Sequence, residues 1–156
     1  MRKFVPILLA MIMIISFASA EYVFCTPNTY VNVRMSPSGE AVGWIECGTW
    51  VTTDGQTTKY NGKTWAHVCD LCAEDAEGWV CSDFLTDSNI NMEKRTAYSV
   101  AIGKLAIRKS PNGKVKDWLY NGDKCVVLAD NGEWAITTRG YVMMDYLEFV
   151  EVAEDD

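Results

Sequence analysis

The chain contains the same sequence module twice, and this repeat limits the folds available to it more than any other feature. Seven positions of the first copy recur in the second at a constant offset of 74, without a gap, in the pairs Val33 and Ile107, Arg34 and Arg108, Ser36 and Ser110, Pro37 and Pro111, Gly39 and Gly113, Trp44 and Trp118, and Gly48 and Gly122. Further along, Gly78 of the segment GWVCSDFL matches Gly140 of GYVMMDYL. Each copy is about 60 residues long, a size at which burial is marginal for one domain. The sequence therefore predicts two small domains of the same kind.

Short alternating segments separated by turn residues predict an all-β fold. Side-chain character alternates in YVNVR from Tyr30 and in LAIR from Leu105, as on strands with one buried face. The pairs Asp54-Gly55 and Asn61-Gly62 supply the positive φ angles that tight hairpins need. No segment after residue 20 has a helical period. Because so small a sheet hides its apolar face only by curling over, each copy is predicted to form a compact barrel.

The first 20 residues differ from the rest and are predicted to be a cleaved secretory signal peptide. Arg2 and Lys3 precede an apolar run, and Ala18-Ser19-Ala20 has the small residues of a cleavage site. The run is short for a membrane span of about 20 residues. We therefore expect a secreted protein, extracellular or associated with a cell wall, with no membrane contact after cleavage. The predicted organisation is a signal peptide at 1–20, a first domain at 21–86, a linker at 87–98, a second domain at 99–150 and an acidic tail at 151–156.

The charge balance argues against nucleic acid as a partner. The chain has a formal net charge of −7, and loss of Arg2 and Lys3 with the signal peptide leaves 12 basic and 21 acidic residues. A chain with this acidic excess has no electrostatic reason to bind nucleic acid or an anionic membrane surface.

The opening and closing motifs of both copies resemble those of bacterial SH3 (SH3b) domains. The first copy contains VNVRMSPSG and closes with GWVCSDFL, and the second contains AIRKSPNG and closes with GYVMMDYL. The second copy keeps Arg108, Pro111, Gly140 and Tyr146 of this pattern. The resemblance covers nearly all of the chain after residue 20 and implies two SH3-like barrels in tandem. In that family such modules bind cell-wall peptides or partner proteins, and many accompany a peptidoglycan hydrolase domain.

Two functions fit these observations. The first, which we favour, is a secreted non-catalytic module that recognises a short peptide such as a peptidoglycan peptide. The alternative is a protein-interaction or inhibitor-type factor that docks on another secreted protein. Neither needs a cofactor. Catalysis is not expected, because His67 is the only histidine and the clustered carboxylates lie in one acidic loop without an apolar pocket to separate their pKa values; they are Asp70, Glu74, Asp75 and Glu77.

The distribution of the six cysteines favours disulfide bonds over a metal site. Five of them belong to the first copy and allow at most two bonds, which an exported chain forms in an oxidising space; they are Cys25, Cys47, Cys69, Cys72 and Cys81. Spacing does not determine connectivity; the preferred pairing joins Cys25 to Cys47, with a second bond among the other three. The less favoured alternative is a zinc site formed by His67, Cys69, Cys72 and Cys81. Cys125 takes the place of Val51 and is predicted to be a buried free thiol.

Aromatic residues that both copies keep are predicted to lie in the barrel cores, and unmatched ones on the surface. The matched residues are Trp44, Trp65 and Trp79, with Trp118, Trp134 and Tyr141. Tyr30, Trp50 and Tyr60 have no aromatic counterpart, and Trp50 precedes the inward Val51, so strand alternation turns it outward. These three are the predicted ligand-binding residues, because exposed aromatic rings anchor peptides and sugars.

The matched arginines are predicted to have a structural role. Arg34 and Arg108 each follow an alternating strand and precede a Pro-containing turn. Each is expected to cap loop carbonyls or to pair with a carboxylate of the closing motif, Asp83 or Asp145.

Overall fold

The computed structural model of the protein describes residues 18–71 and 76–151. Within these ranges the chain has 14 strands, two 3-10 helices and no α-helix, which confirms the predicted all-β class. No helix in this described part is both long and apolar enough to cross a bilayer. Most of the predicted signal peptide lies outside the described residues, as do Cys72 and the end of the predicted acidic tail.

The first copy forms a seven-stranded antiparallel sheet. Its strands are β1 (Ser19–Val23), β2 (Tyr30–Arg34), β3 (Ala41–Glu46), β4 (Trp50–Tyr60), β5 (Lys63–Leu71), β6 (Ala76–Cys81) and β7 (Leu85–Thr86). A 3-10 helix, Ser82–Phe84, joins the last two strands. The order across the sheet is β3-β2-β6-β5-β4-β1-β7.

The second copy forms a sheet with the same topology. Its strands are β8 (Arg95–Ser99), β9 (Lys104–Arg108), β10 (Val115–Tyr120), β11 (Lys124–Asp130), β12 (Trp134–Thr137), β13 (Gly140–Met143) and β14 (Leu147–Phe149), with a 3-10 helix at Met144–Tyr146. The order across this sheet is β10-β9-β13-β12-β11-β8-β14. Each strand occupies the place of the strand seven numbers before it. The repeat in the sequence is therefore a repeat of topology, and we call the two units module one and module two.

The predicted linker at 87–98 contains most of a strand, which corrects the boundary between the modules. β8 begins at Arg95 and pairs with both β11 and β14 of module two. Its polar composition concealed it, because its fully buried positions are only the small residues Ala97 and Ser99. At the other end, β1 begins at Ser19, before the predicted domain start at residue 21.

Each module has its own apolar core, built by strand alternation. On β2, Val31 and Val33 are buried and alternate with exposed or half-buried neighbours, and Leu105 and Ile107 repeat this pattern on β9. The core of module one consists of Val23, Cys25, Val31, Val33, Ile45, Val51, Val68 and Val80. The core of module two consists of Ala97, Ala101, Leu105, Ile107, Leu119, Cys125, Val127, Ala135 and Val142.

A third apolar cluster joins the two modules. It buries Phe24 of module one with Ala129, Trp134, Ile136 and Tyr141 of module two. The Phe24 and Tyr141 rings meet edge to face with their centroids 5.9 Å apart. Trp134 and Tyr141 are thus buried as predicted, but they lie between the modules and not in the core of one module. The modules pack directly on each other.

Two hydrogen bonds also connect the modules. The Ser110 hydroxyl donates to the Asp83 carboxylate at 3.0 Å, and the Asn131 amide donates to the Thr86 hydroxyl at 3.2 Å. Both bonds run from module two to module one. They set the relative orientation of the modules, because a hydrogen bond is directional whereas apolar contact is not.

One of the two turn predictions is correct and the other is wrong. Asn61 and Gly62 have φ values of 50° and 72° and connect β4 to β5, as expected for a tight hairpin. Asp54-Gly55 lies instead inside β4, where the pairing with β5 shifts register between Thr53 and Thr57. The positive φ of Gly55, 79°, therefore serves a bulge in a long strand.

The glycine of each closing motif allows two strands to approach closely. A Cβ atom at Gly78 would lie 2.5 Å from the Val33 Cγ1 atom and 2.8 Å from the Arg34 carbonyl oxygen. At Gly140 it would lie 2.6 Å from the Arg108 carbonyl oxygen. These distances explain the glycine in the GWV and GYV motifs, since any side chain would separate β6 from β2, and β13 from β9.

The substitution Gly78→Ala is expected to lower the free energy of unfolding by about 1–3 kcal/mol, because the added methyl group overpacks this contact. Urea denaturation measures the change. Gly43→Ala is the matched control, since Gly43 also lies in a strand of module one and a methyl group added there would meet nothing within 4 Å beyond its chain neighbours. Equal effects of the two substitutions would contradict the close-approach explanation.

Candidate functional site

The matched arginines stabilise loops in both modules. The Arg34 Nη1 atom donates to the Gly39 carbonyl oxygen at 2.7 Å, and the Arg108 Nη1 atom donates to the Gly113 carbonyl oxygen at 2.8 Å. The loop-capping prediction is confirmed. The first bond closes the turn between β2 and β3, and the second closes the equivalent turn between β9 and β10.

The structure places the three predicted ligand-binding aromatics on the surface but not together. Tyr30, Trp50 and Tyr60 are 60%, 53% and 50% exposed, and the predicted outward direction of Trp50 next to the buried Val51 is confirmed. Trp50 and Tyr60, however, begin and end β4, and Tyr30 begins β2. The three residues therefore do not form one groove.

Trp44 is exposed, so its prediction as a core residue is wrong. Its side chain is 60% exposed, whereas its neighbour Ile45 on β3 is 5% exposed and points into the core. The Trp44 ring lies beside Tyr30, with centroids 5.8 Å apart. Trp118, the equivalent of Trp44, is half-buried and carries the Lys104 ammonium group 3.8 Å from its ring centroid. Both modules thus have a tryptophan on the outer face of the hairpin formed by β2 and β3 or by β9 and β10. The repeat in the sequence revealed this matched pair, but the match was wrongly interpreted as a sign of burial.

A largely apolar groove lies beside Trp118 in module two. Its cavity volume is about 650 Å³, and we call it the module-two groove. Its lining residues are Val100, Ala101, Ile102, Lys104, Leu105, Ala106, Arg108, Val115, Trp118, Met143, Asp145 and Tyr146. The two aromatic rings, the aliphatic floor and the three charged groups give it the composition typical of small-ligand sites.

A second cavity, of about 610 Å³, is lined by residues of both modules, and we call it the junction cavity. Module one contributes Arg34, Lys63 and Trp65, and module two contributes Lys109 and Tyr141. Trp65 is buried, and within the described part of the chain its indole Nε1 hydrogen has no acceptor. An unpaired buried donor costs about 1–3 kcal/mol, so this tryptophan is a feature of the cavity that calls for explanation.

Cys25 and Cys47 lie next to each other, as the preferred disulfide pairing predicts. The Cys47 sulfur accepts a hydrogen bond from the Cys25 backbone N–H at 3.3 Å, and the Cys47 thiol also contacts the Cys25 carbonyl oxygen. A hydrogen bond from the Cys25 thiol lowers the pKa of Cys47 to about 7, and the same bond together with burial raises the pKa of Cys25. Both residues are thiols in this structure, and the bond between them stays a prediction.

The four residues of the alternative zinc set do not converge where the structure describes them. The His67 Nδ1 atom is hydrogen-bonded to the Asp54 carboxylate at 2.8 Å. Cys81 pairs with Trp65 on β5, four residues from Cys69 and therefore roughly 13 Å away at about 3.3 Å per residue. Among the described residues there is no group of three metal-ligating side chains close enough to hold an ion. Cys72 lies outside the described residues.

The same separation bears on the predicted second disulfide. A disulfide requires Cα atoms within about 7 Å of each other, so a bond between Cys69 and Cys81 is incompatible with this strand pairing. A second bond would have to include Cys72. Cys125 is buried at the position equivalent to Val51, as predicted, and burial raises the pKa of its thiol.

Where the structure describes it, the extra segment of module one lengthens the two strands β5 and β6. The prediction that its acidic residues lie in one loop is therefore corrected. β5 and β6 have nine and six residues, whereas the equivalent β12 and β13 have four each. Asp70 lies in β5 and Glu77 in β6. Glu74 and Asp75 lie outside the described residues.

Comparison with known proteins finds distant matches among solved structures and none among family models or curated proteins. Two solved structures from Trichomonas vaginalis are similar to it: NlpC1, with a TM-score of 0.35 and 17% identity over 98% of this chain and 53% of that chain, and NlpC2, with a TM-score of 0.32 and 16% identity over 88% and 52%. The chain thus spans about half the length of these proteins. At these TM-scores the similarity identifies neither a fold family nor an activity.

Proposed function

We propose that the protein is a secreted, non-catalytic binding protein with two SH3-like barrels, which recognises a short peptide such as a peptidoglycan peptide. The module-two groove is the observation that carries this proposal. The SH3b resemblance of the opening and closing motifs supports the barrel assignment, and the identical strand order supports two copies of one fold.

The side chains of the module-two groove suit an extended peptide. Tyr146 and Trp118, whose ring is covered on one face by the Lys104 ammonium group, supply aromatic contact area at low entropic cost because each side chain has only two rotatable bonds. The carboxylate of Asp145 and the ammonium group of Lys104 provide opposite charges in the same groove. A zwitterionic peptide can be oriented by such a pair.

An exposed apolar residue next to the groove also supports binding. Ile102 is fully exposed, and its neighbour Val100 is 42% exposed. Both residues line the groove. A bound peptide would remove this apolar surface from water, with a gain of about 25 cal/mol per Å².

Trp118→Ala is expected to weaken the binding of a soluble muropeptide at least about tenfold, because aromatic anchors in a groove carry most of the binding energy. Isothermal titration calorimetry of the mature chain measures the affinity. Trp50→Ala is the control: Trp50 is a strand tryptophan that is 53% exposed but does not line the groove, so its loss should leave the affinity unchanged.

Two outcomes would oppose the proposal. If Trp50→Ala weakens binding and Trp118→Ala does not, the ligand occupies the surface of module one that the sequence pattern indicated. If no muropeptide binds at all, peptidoglycan peptides are excluded as the ligand.

Docking on a secreted protein is the second candidate function, and the first hairpin of module one favours it. Four large apolar side chains are exposed there: Tyr30 at 60%, Met35 at 68%, Val42 at 52% and Trp44 at 60%. Exposed apolar patches of this kind mark protein interaction sites. Capture of one secreted protein, lost with Trp44→Ala and kept with Trp118→Ala, would support this function over peptide binding.

A further inference from the structure

The junction cavity has a charge opposite to that of the chain as a whole. Its lining includes the side chains of Arg34, Lys63 and Lys109 and no aspartate or glutamate, although the chain has a net charge of −7. Among the described residues, Lys63 forms an ion pair with Asp83 at 3.2 Å, and Asp83 lies outside the lining. After that pairing the cavity keeps an excess of positive charge.

The cations come from distant parts of the sequence. Lys63 begins β5 of module one, whereas Lys109 directly follows β9 of module two. Only the packing of the modules brings them to one cavity. Since like charges repel when they are gathered in a partly enclosed space, an anionic ligand would stabilise this arrangement.

Trp65 provides a second, independent observation. It lines the junction cavity, is 6% exposed, and has an indole N–H without an acceptor in the described part of the chain. Indole is a donor only, so its missing partner must be an acceptor such as a carboxylate or carbonyl oxygen. The unpaired donor and the cations therefore call for the same chemistry.

The remaining lining limits the ligand further. Tyr30, Phe84 and Tyr141 contribute aromatic surface, and the volume of about 610 Å³ is within the range of sites for small organic ligands. A bare inorganic anion would leave the aromatic side of the cavity uncovered. The ligand that fits has an anionic group and an apolar body.

We propose that the junction cavity binds the carboxylate of a small organic acid with an apolar body, such as the C-terminus of a short peptide. Lys109, with the positive charge of Arg34, attracts the carboxylate, Trp65 donates to a carboxylate oxygen, and Tyr141 and Phe84 cover the apolar part of the ligand. The site does not depend on the module-two groove, because the two linings share no residue.

The test compares two probes of the same size, N-acetyl-alanyl-alanine and its C-terminal amide, by titration calorimetry on the mature chain. We expect the acid to bind at least about tenfold more tightly than the amide, because only the acid forms charge-assisted hydrogen bonds. Lys109→Gln should weaken binding of the acid about tenfold. Lys114→Gln is the matched control, since Lys114 lies on the same hairpin turn, where its carbonyl oxygen accepts from the Lys109 N–H at 3.0 Å, and does not line the cavity.

Trp65→Phe tests the indole donor while keeping an aromatic ring, and it should weaken binding of the acid more than binding of the amide, because a hydrogen bond to the charged carboxylate is stronger than one to a neutral carbonyl oxygen. Equal binding of acid and amide, or binding of neither, would overturn the proposal. Inorganic phosphate that competes as well as the acid would overturn the requirement for an apolar body. Trp118→Ala should leave binding of the acid unchanged; loss of binding in that variant would place the acid in the module-two groove instead and would also overturn the junction site.

Discussion

Replacing Phe24 by alanine is expected to lower the free energy of unfolding by about 3–5 kcal/mol, the range for large aromatic deletions from a protein core. Phe24 is 1% exposed and is the fully buried residue that module one contributes to the cluster between the modules. Its ring meets the Tyr141 ring edge to face, so its removal leaves a cavity next to Tyr141, between the two modules. Because the cluster joins the modules, its loss should also separate their unfolding into two transitions, which thermal and urea denaturation detect.

The matched control for this prediction is Tyr98→Ala. Tyr98 is an aromatic residue of β8 that is 41% exposed, so the substitution should change the free energy of unfolding by less than about 1 kcal/mol. If Phe24→Ala were equally mild and the protein still unfolded in one step, the third cluster would not couple the modules.

Oxidation of the chain is expected to join Cys25 to Cys47 and to raise the free energy of unfolding by about 3 kcal/mol, the chain-entropy value for a loop of this length. The two residues are 22 positions apart, and the Cys47 sulfur already contacts the backbone of Cys25. Cys25 lies in the core of module one, and Cys47 packs against that core. Bond formation thus requires movement of the two side chains within a site that has already formed.

The protonation states of the two thiols determine the order of the reaction. Because the pKa of Cys47 is lowered to about 7, its thiolate is populated at neutral pH and attacks oxidised glutathione, which releases one glutathione thiolate. Cys25 then loses its proton, attacks the Cys47 sulfur of the mixed disulfide and releases the second glutathione. The rate of the first step should rise as the pH passes through about 7 and level off above it, since the thiolate is the nucleophile.

The measurement uses a chain in which Cys69, Cys72 and Cys81 are replaced by alanine, so that no other bond of module one contributes. Urea denaturation in oxidised and reduced glutathione gives the difference in the free energy of unfolding. A further Cys125→Ala substitution is the control and should leave this difference intact, because Cys125 is buried in the other module. If mass spectrometry finds both thiols free after oxidation, the pairing prediction is wrong.

Features with a local cause could be predicted from the sequence. Arg34 and Arg108 cap loops five residues away along the chain, so position relative to the turn was sufficient. Cys125 and Trp50 follow strand alternation, and both have the predicted burial. The strand β8 was missed for an equally local reason, since a strand that buries only alanine and serine has no apolar pattern to detect.

Features that depend on which surfaces meet could not be predicted. Trp44 was assigned to the core because both copies keep a tryptophan there, but matching shows that a residue occupies the same position in two modules and not which side of the sheet it faces. Tyr141 was correctly predicted to be buried, yet its partner is Phe24 of the other module. The prediction that Tyr30, Trp50 and Tyr60 form one groove was wrong. All three are exposed, but Trp50 and Tyr60 lie at opposite ends of β4, which is too far apart for one ligand site.

The amino-acid sequence by itself determined that the protein consists of two β-modules of one topology, because alternation, turn residues and the strand-contact glycines act over a few residues and are written twice. Only the tertiary structure decided that the modules share a third apolar cluster and that Lys63 and Lys109 line one cavity. These features arise where one finished sheet packs against the other, and no local pattern encodes the side of a sheet that its neighbour will cover.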